Sequence, residues 1–247
     1  MTSQRPPRSP PAWLKNLKLA RQLLLGLLHT PFYGSPFAAR GIRTVRRWHG
    51  QVCRALHVDI RAHGEAQPGV LYVCNHISWL DIPVLGSQLD GVRFLAKSEV
   101  RRWPLIGWLA QRAGSLFIER GQGQDSLHDV VAALRQGHSV LIFPEGTTTD
   151  GLSLRRFHPR LLQAAQLAQT AIQPVALRYL DQHGAPNPRA AYIDDDSFGD
   201  TLGRIVQEQA LYAEVRFLPL IRPESLPRNQ LAAAAHASIA AALPHIE

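Results

Sequence analysis

Along the first sixty positions the apolar residues recur at helical spacing. Trp13, Leu14, Leu17, Leu24, Leu25 and Leu28 fall on one side of a helix, with Lys15, Lys18 and Arg21 between them, which predicts an amphipathic helix over 13–28. Beyond Pro31 and Gly34 a second helix is expected over 37–56, with Ile42, Val45, Trp48, Val52 and Leu56 on one side and Arg40, Arg43, Arg46, Arg47 and Arg54 over the remainder. The pattern then shortens. β-Branched runs at 69–73, 92–96, 114–118, 139–143 and 172–179 read as strands, with further strands expected at 191–193 and 213–217. Helical spacing fills the gaps at 80–85, 105–111, 125–135, 160–168 and 229–243. This alternation predicts an α/β fold: a single domain with a mostly parallel or mixed sheet flanked by helices, over 61–247. It is preceded by a two-helix amphipathic segment over 1–60.

Composition bounds the function. At 247 residues and 45% hydrophobic, the chain can bury a sizeable core. The net charge of +8 is unevenly placed: residues 1–60 hold ten Lys and Arg against the single acid Asp59, leaving 17 bases and 18 acids in the rest. A basic segment on a near-neutral body calls for an anionic partner, and the amphipathic pattern selects a lipid surface over nucleic acid. The apolar run 23–28 is far short of the roughly 20 residues that cross a bilayer, so the segment is expected to lie on the membrane, peripheral or monotopic. The alternative is that both helices pack on the body with their charges solvated. No small-residue cleavage site follows the apolar stretch, which disfavours a signal peptide. Cys53 and Cys74 form no CxxC or Cys/His pattern, so neither a disulfide framework nor a metal site is expected, and a reducing compartment is the default.

The candidate chemistry sits where strands end, because α/β sheets carry their functional loops at the carboxyl ends of strands. After the run Leu71–Cys74 come Asn75, His76 and, five positions on in the first turn of a helix, Asp81. A carboxylate that reaches the imidazole holds one ring nitrogen and leaves the other as a general base. Cys74, two residues from His76, could alternatively supply a nucleophile, although a buried strand thiol is the simpler reading. The strand at 139–143 ends in Pro144-Glu145-Gly146-Thr147, a turn that would present backbone N–H groups and a carboxylate. The strand at 114–118 ends in Glu119-Arg120, a guanidinium suited to an anionic oxygen. No Gly-x-Ser-x-Gly elbow occurs, which argues against a serine hydrolase. Asp194, Asp195 and Asp196 are consecutive and do not face one point, so they read as a loop or helix start and not as a metal site.

Four blocks in order make the sequence resemble the glycerolipid acyltransferase family typified by 1-acylglycerol-3-phosphate acyltransferase. They are Asn75-His76 with Asp81, then Gly114 with Phe117-Ile118 and Arg120, then Phe143-Pro144-Glu145-Gly146-Thr147, then Ile172 with Pro174-Val175. The likeness spans about 37–180 and includes Phe94-Leu95-Ala96-Lys97-Ser98-Glu99 between the first two blocks.

The resemblance implies an O-acyltransferase in which His76, oriented by Asp81, deprotonates a lysolipid hydroxyl that attacks the thioester of acyl-CoA or acyl carrier protein. No cofactor beyond that donor substrate is implied. Glu145, Gly146 and Thr147 are expected at the acceptor's polar head, Asn75 among the substrate-binding residues, Arg120 at the acceptor's anionic group, and Lys97 or backbone amides at the oxyanion. The expected acceptor is 1-acyl-sn-glycerol-3-phosphate, giving phosphatidic acid. One departure bears on this: the family's third block usually continues with Arg, where this chain has Thr148. Arg155 or Arg156 could supply the missing charge, or the acceptor could carry another head, making the enzyme a lyso-ornithine lipid O-acyltransferase. Transacylation between phospholipids, and a catalytically inactive membrane-surface module, are the other readings. The expected location is the cytoplasmic face of the inner membrane, where activated acyl donors reside.

Overall fold

A computed structural model describes residues 9–29, 32, 34–118, 123–193, 195–223 and 226–243. Two helices, α1 (Ala12–His29) and α2 (Ala39–Leu56), lead into strand β1 (Val58–His63). The body continues through β2 (Leu71–Cys74), α3 (Asp81–Gln88), β3 (Arg93–Lys97), α4 (Ser98–Arg101), α5 (Ile106–Arg112), β4 (Leu116–Ile118), α6 (Gly123–Arg135) and β5 (Val140–Ile142). It ends with α7 (Gln163–Ala168), β6 (Ile172–Leu180), α8 (Phe198–Gln207), β7 (Leu211–Phe217) and α9 (Arg228–Ala242).

The strands form one mixed sheet in the order β1-β7-β6-β2-β5-β3-β4. Every neighbouring pair is parallel except β6 with β7. Strand side chains alternate between two cores, as a period of two requires. Tyr72 and Cys74 of β2 and Leu141 of β5 enter one core with α2, α3 and α8. Leu71 and Val73 of β2 and Val140 and Ile142 of β5 enter the other with α6, α7 and α9. All four β2 residues are buried, as suits a strand covered on both faces.

The boundary expected at residue 60 falls inside β1, which pairs with β7 from Val58 to His63. Helix α2 is not an appendage either: Val52, Cys53 and Leu56 belong to the first core, and burying a side chain such as Leu56 contributes about 1.5–3 kcal/mol. Its contact with α3 is close, because an added Cβ on Gly86 would lie 2.2 Å from His49 Nδ1. His49 is fully buried there, and burial pushes its imidazole down to about 4, so it packs as a neutral ring.

Helix α1 turns Leu19 and Lys15 inward and holds α2 through Trp48 Nε1, which donates to the Gln22 carbonyl at 2.8 Å. Lys15 therefore does not join Lys18 and Arg21 as a basic residue facing outward. It is 1% exposed, and its Nζ donates at 2.6 Å to the Glu208 carbonyl at the end of α8, where a helix C-terminus favours a cation.

A further difference has a local cause. No strand forms at 191–193, because the Ala191 and Tyr192 carbonyls accept from the side chains of Arg204 and Thr148 and not from a neighbouring strand. Asp196 pairs with Arg204 at 2.6 Å, and Ser197 with Asp200 forms a capping box that starts α8, so this part of the acidic run is a helix start. Asp194 lies outside the described residues.

Candidate active site

The site forms where β2 and β5, parallel neighbours, end side by side. Past Cys74 the chain leaves the sheet, and His76 Nδ1 meets Asp81 Oδ2 at 2.7 Å. Asp81 opens α3, the end of a helix that favours a negative charge. The same Oδ2 accepts the backbone N–H groups of Ile77 at 2.8 Å and Ser78 at 3.1 Å, while Oδ1 accepts the Tyr179 hydroxyl at 2.8 Å. Four donors thus surround a carboxylate with no exposed surface, and they offset the cost of burying it. With Nδ1 held by Asp81, Nε2 is the nitrogen left to exchange protons.

Two contacts fix the imidazole from the β5 side. The Phe143 ring stacks on it at 3.9 Å between centroids and 13° between planes. Glu145 Oε1 accepts the His76 backbone N–H at 2.7 Å, and its Oε2 accepts the Arg155 N–H at 2.9 Å. Burial pushes the Glu145 carboxyl up, and those two N–H donors pull it partly back. The turn that delivers Glu145 closes with Gly146 N–H donating to the Phe143 carbonyl, and Gly146 takes a φ of +73°, which suits glycine.

These placements correct two expectations. Glu145 was expected at the acceptor's head, yet it is 4% exposed and its two oxygens are used by backbone N–H groups. Asn75 is 2% exposed, and its amide exchanges two 2.8 Å hydrogen bonds with the backbone of Leu177, extending the junction of β2 with β6 by one side-chain bridge. Both residues shape the loop that holds His76. Cys74 is buried, and its thiol is pushed well up by burial, which leaves it inert as a nucleophile.

Gly146, Thr147 and Lys97 do line an open cavity of about 940 Å³ together with His76, Phe143 and Thr148. Lys97, at the end of β3, is exposed. Arg120 lies outside the described residues, as does Glu119. The remaining walls are mostly apolar and come from α1 to α3 and α5, including Leu23, Ile42, Val45, Trp48, Val52 and Leu109. His158 and Arg160, which sequence reasoning did not single out, also line the cavity and are exposed. A hydrogen-bonded imidazole therefore opens onto an apolar channel with cations at its rim, an arrangement that suits proton removal beside an acyl chain.

Similarity to known proteins places this geometry. The acyltransferase family model matches residues 55–178, from the end of α2 to β6, and encloses His76, Asp81, Glu145 and all of the turn between them. The chain belongs to the acyltransferase family. It is 44% identical over 205 residues to the lyso-ornithine lipid O-acyltransferase of Pseudomonas aeruginosa, spanning 81% of this chain and 78% of that protein. It is also 37% identical over 153 residues to the 1-acyl-sn-glycerol-3-phosphate acyltransferase of Neisseria gonorrhoeae, spanning 61% of this chain and 59% of that one. The crystal structure of the 1-acyl-sn-glycerophosphate acyltransferase from Thermotoga maritima superposes with a TM-score of 0.70 at 16% identity, covering 94% of this chain and 96% of that chain, and so shares its fold. As an O-acyltransferase, this enzyme carries its fourth block on β6, where Pro174 pairs with Val73 and Val175 with Cys74. That register sets β6 beside the strand that ends at the His76 loop.

Proposed function

We propose that this acyltransferase moves a fatty acyl group from a thioester donor, acyl-CoA or acyl carrier protein, to the free hydroxyl of lyso-ornithine lipid. His76 Nε2 takes the hydroxyl proton as the oxygen attacks the thioester carbonyl carbon. The tetrahedral intermediate collapses by breaking the C–S bond, and the leaving thiolate recovers the proton from the imidazolium. Asp81 keeps the proton on Nδ1 and stabilises the imidazolium between these steps. The observation that carries the reaction is the 2.7 Å His76–Asp81 pair opening onto an apolar cavity large enough for an acyl chain.

The acceptor rests on Thr148. Where the family's third block usually supplies a guanidinium, this chain has a hydroxyl that donates to the Tyr192 carbonyl. An ornithine head carries a carboxylate and an ammonium instead, and Arg160 and Lys97 at the cavity wall suit the carboxylate. The 44% identical relative named for the same lipid supports this choice over lysophosphatidate.

Purified enzyme given acyl-CoA or acyl carrier protein, with each acceptor in turn, tests the reading. Lyso-ornithine lipid should be preferred over lysophosphatidate by about 10- to 100-fold in kcat/KM, the worth of one charged hydrogen bond to phosphate. The reverse preference would return phosphate as the head group, and turnover of neither would support an inactive surface module.

Among the described residues no helix is long and apolar enough to cross a membrane. Helix α1 nevertheless keeps Trp13, Leu17, Leu24 and Leu28 more than half exposed on one stripe, opposite the buried Lys15 and Leu19. That stripe is the proposed contact with the cytoplasmic face of the membrane, where the activated donor resides. Replacing Trp13, Leu17 and Leu24 together by Ser should sharply reduce flotation with anionic vesicles while leaving the melting temperature near wild type. Unaltered flotation would refute the contact.

A further inference from the structure

The carboxylate that orients His76 has a partner that the reaction does not touch. Tyr179 lies on β6, on the face that carries Val175 and Leu177 into the core beneath the His76 loop, and it is 3% exposed. Its hydroxyl donates at 2.8 Å to Asp81 Oδ1, the oxygen facing away from the imidazole. The other oxygen takes the His76 ring and the N–H groups of Ile77 and Ser78. Among the described residues no Lys or Arg pairs with Asp81, so its charge is held by these donors and by its place at the start of α3. Among the described residues the phenol is the one side chain besides His76 that donates to it.

We propose that Tyr179 is a positioning residue for acyl transfer: by holding Asp81 Oδ1 it fixes the plane of the carboxylate and limits how strongly that carboxylate retains the proton of His76. The inference rests on His76 and Asp81 being the catalytic pair. A hydrogen bond to one oxygen withdraws charge from the other, so the phenol weakens the pull of Asp81 on the imidazolium. Burial and the neighbouring carboxylate push the phenol's own ionisation well up, so it stays a donor.

The test compares wild type, Tyr179→Phe and His76→Ala as full-length enzyme across pH, with the melting temperature of each. Tyr179→Phe should lower kcat by about 10- to 100-fold, the effect of removing one hydrogen bond to a charged group, with little change in KM for either substrate. The acid limb of its kcat/KM profile should move to higher pH. Site-specific 3,5-difluorotyrosine at position 179 keeps the shape and strengthens the donor. It should move the same limb to lower pH, and it serves where the Phe variant folds poorly. A Tyr179→Phe enzyme with wild-type kcat, or profiles that do not move in either variant, overturns the proposal. If His76→Ala retains full activity, the failure belongs instead to the catalytic assignment.

Discussion

His76→Ala is expected to leave a folded protein with its acyl transfer reduced by roughly 10²- to 10⁴-fold, the usual worth of a positioned general base. The side chain is 21% exposed at the cavity and packs chiefly against Phe143, so truncation removes a surface of the site and not a part of the core. The scaffold around it should survive because Asp81 keeps Ile77, Ser78 and Tyr179 as donors. KM should change little, since the proton transfer is made only on the way to the transition state. Asp81→Asn gives the complementary result. A carboxamide can fill the same space, but it carries no charge to stabilise an imidazolium, so kcat should fall while the fold persists. Single-turnover rates with saturating donor and acceptor, measured alongside circular dichroism, check both. Wild-type rates in His76→Ala would remove the general base from the mechanism.

Glu145→Ala should act differently, on fold and activity together. Its carboxylate accepts the backbone N–H groups of His76 and Arg155, and each hydrogen bond to a charged group is worth about 1.5–3 kcal/mol. Part of that is offset by the burial that pushes the carboxyl up. A net loss of about 2–4 kcal/mol follows, or a melting temperature lower by roughly 4–15 °C for a domain of this size. Freed of this anchor, the His76 backbone can drift, and a displacement of about 1 Å costs on the order of 100-fold in rate. Glu145→Gln keeps one carbonyl acceptor and should fall between. Thermal melts with steady-state kinetics separate the two roles considered for Glu145. A variant that melts like wild type and shows only a raised KM for the lysolipid would restore it to the acceptor's head group.

Much of this architecture was legible in the chain because the signals are local. The helix of 13–28 and the strands at 69–73, 139–143 and 172–179 are visible as apolar periods of 3.6 or two, and the observed α1, β2, β5 and β6 fall within a few residues of them. His76 and Asp81 could be paired because an Asp five residues on, at a helix start, can reach the imidazole, and because the other blocks of the family resemblance accompany them in order. Strand β1 was harder to see. Its alternation, Val58-Asp59-Ile60-Arg61, is short and follows directly on a basic helix, and its strand identity comes from β7, more than 150 positions away. Helix α8 was likewise hidden behind the acidic run that precedes its Ser197 cap.

By itself, then, the sequence determined most of the helical and extended segments, that the candidate chemistry gathers at strand ends, and that a histidine and an aspartate share one loop. Tertiary structure alone decided what the polar side chains there do. Glu145, Asn75 and Tyr179 stand 69, 102 and 98 positions from their partners His76, Leu177 and Asp81. Lys15 stands 193 positions from the carbonyl it caps. A buried carboxylate, amide or ammonium takes whatever donor or acceptor the packed strands bring to it, because leaving it unpaired costs several kcal/mol. That partner is set by strand order and register, which local spacing does not encode.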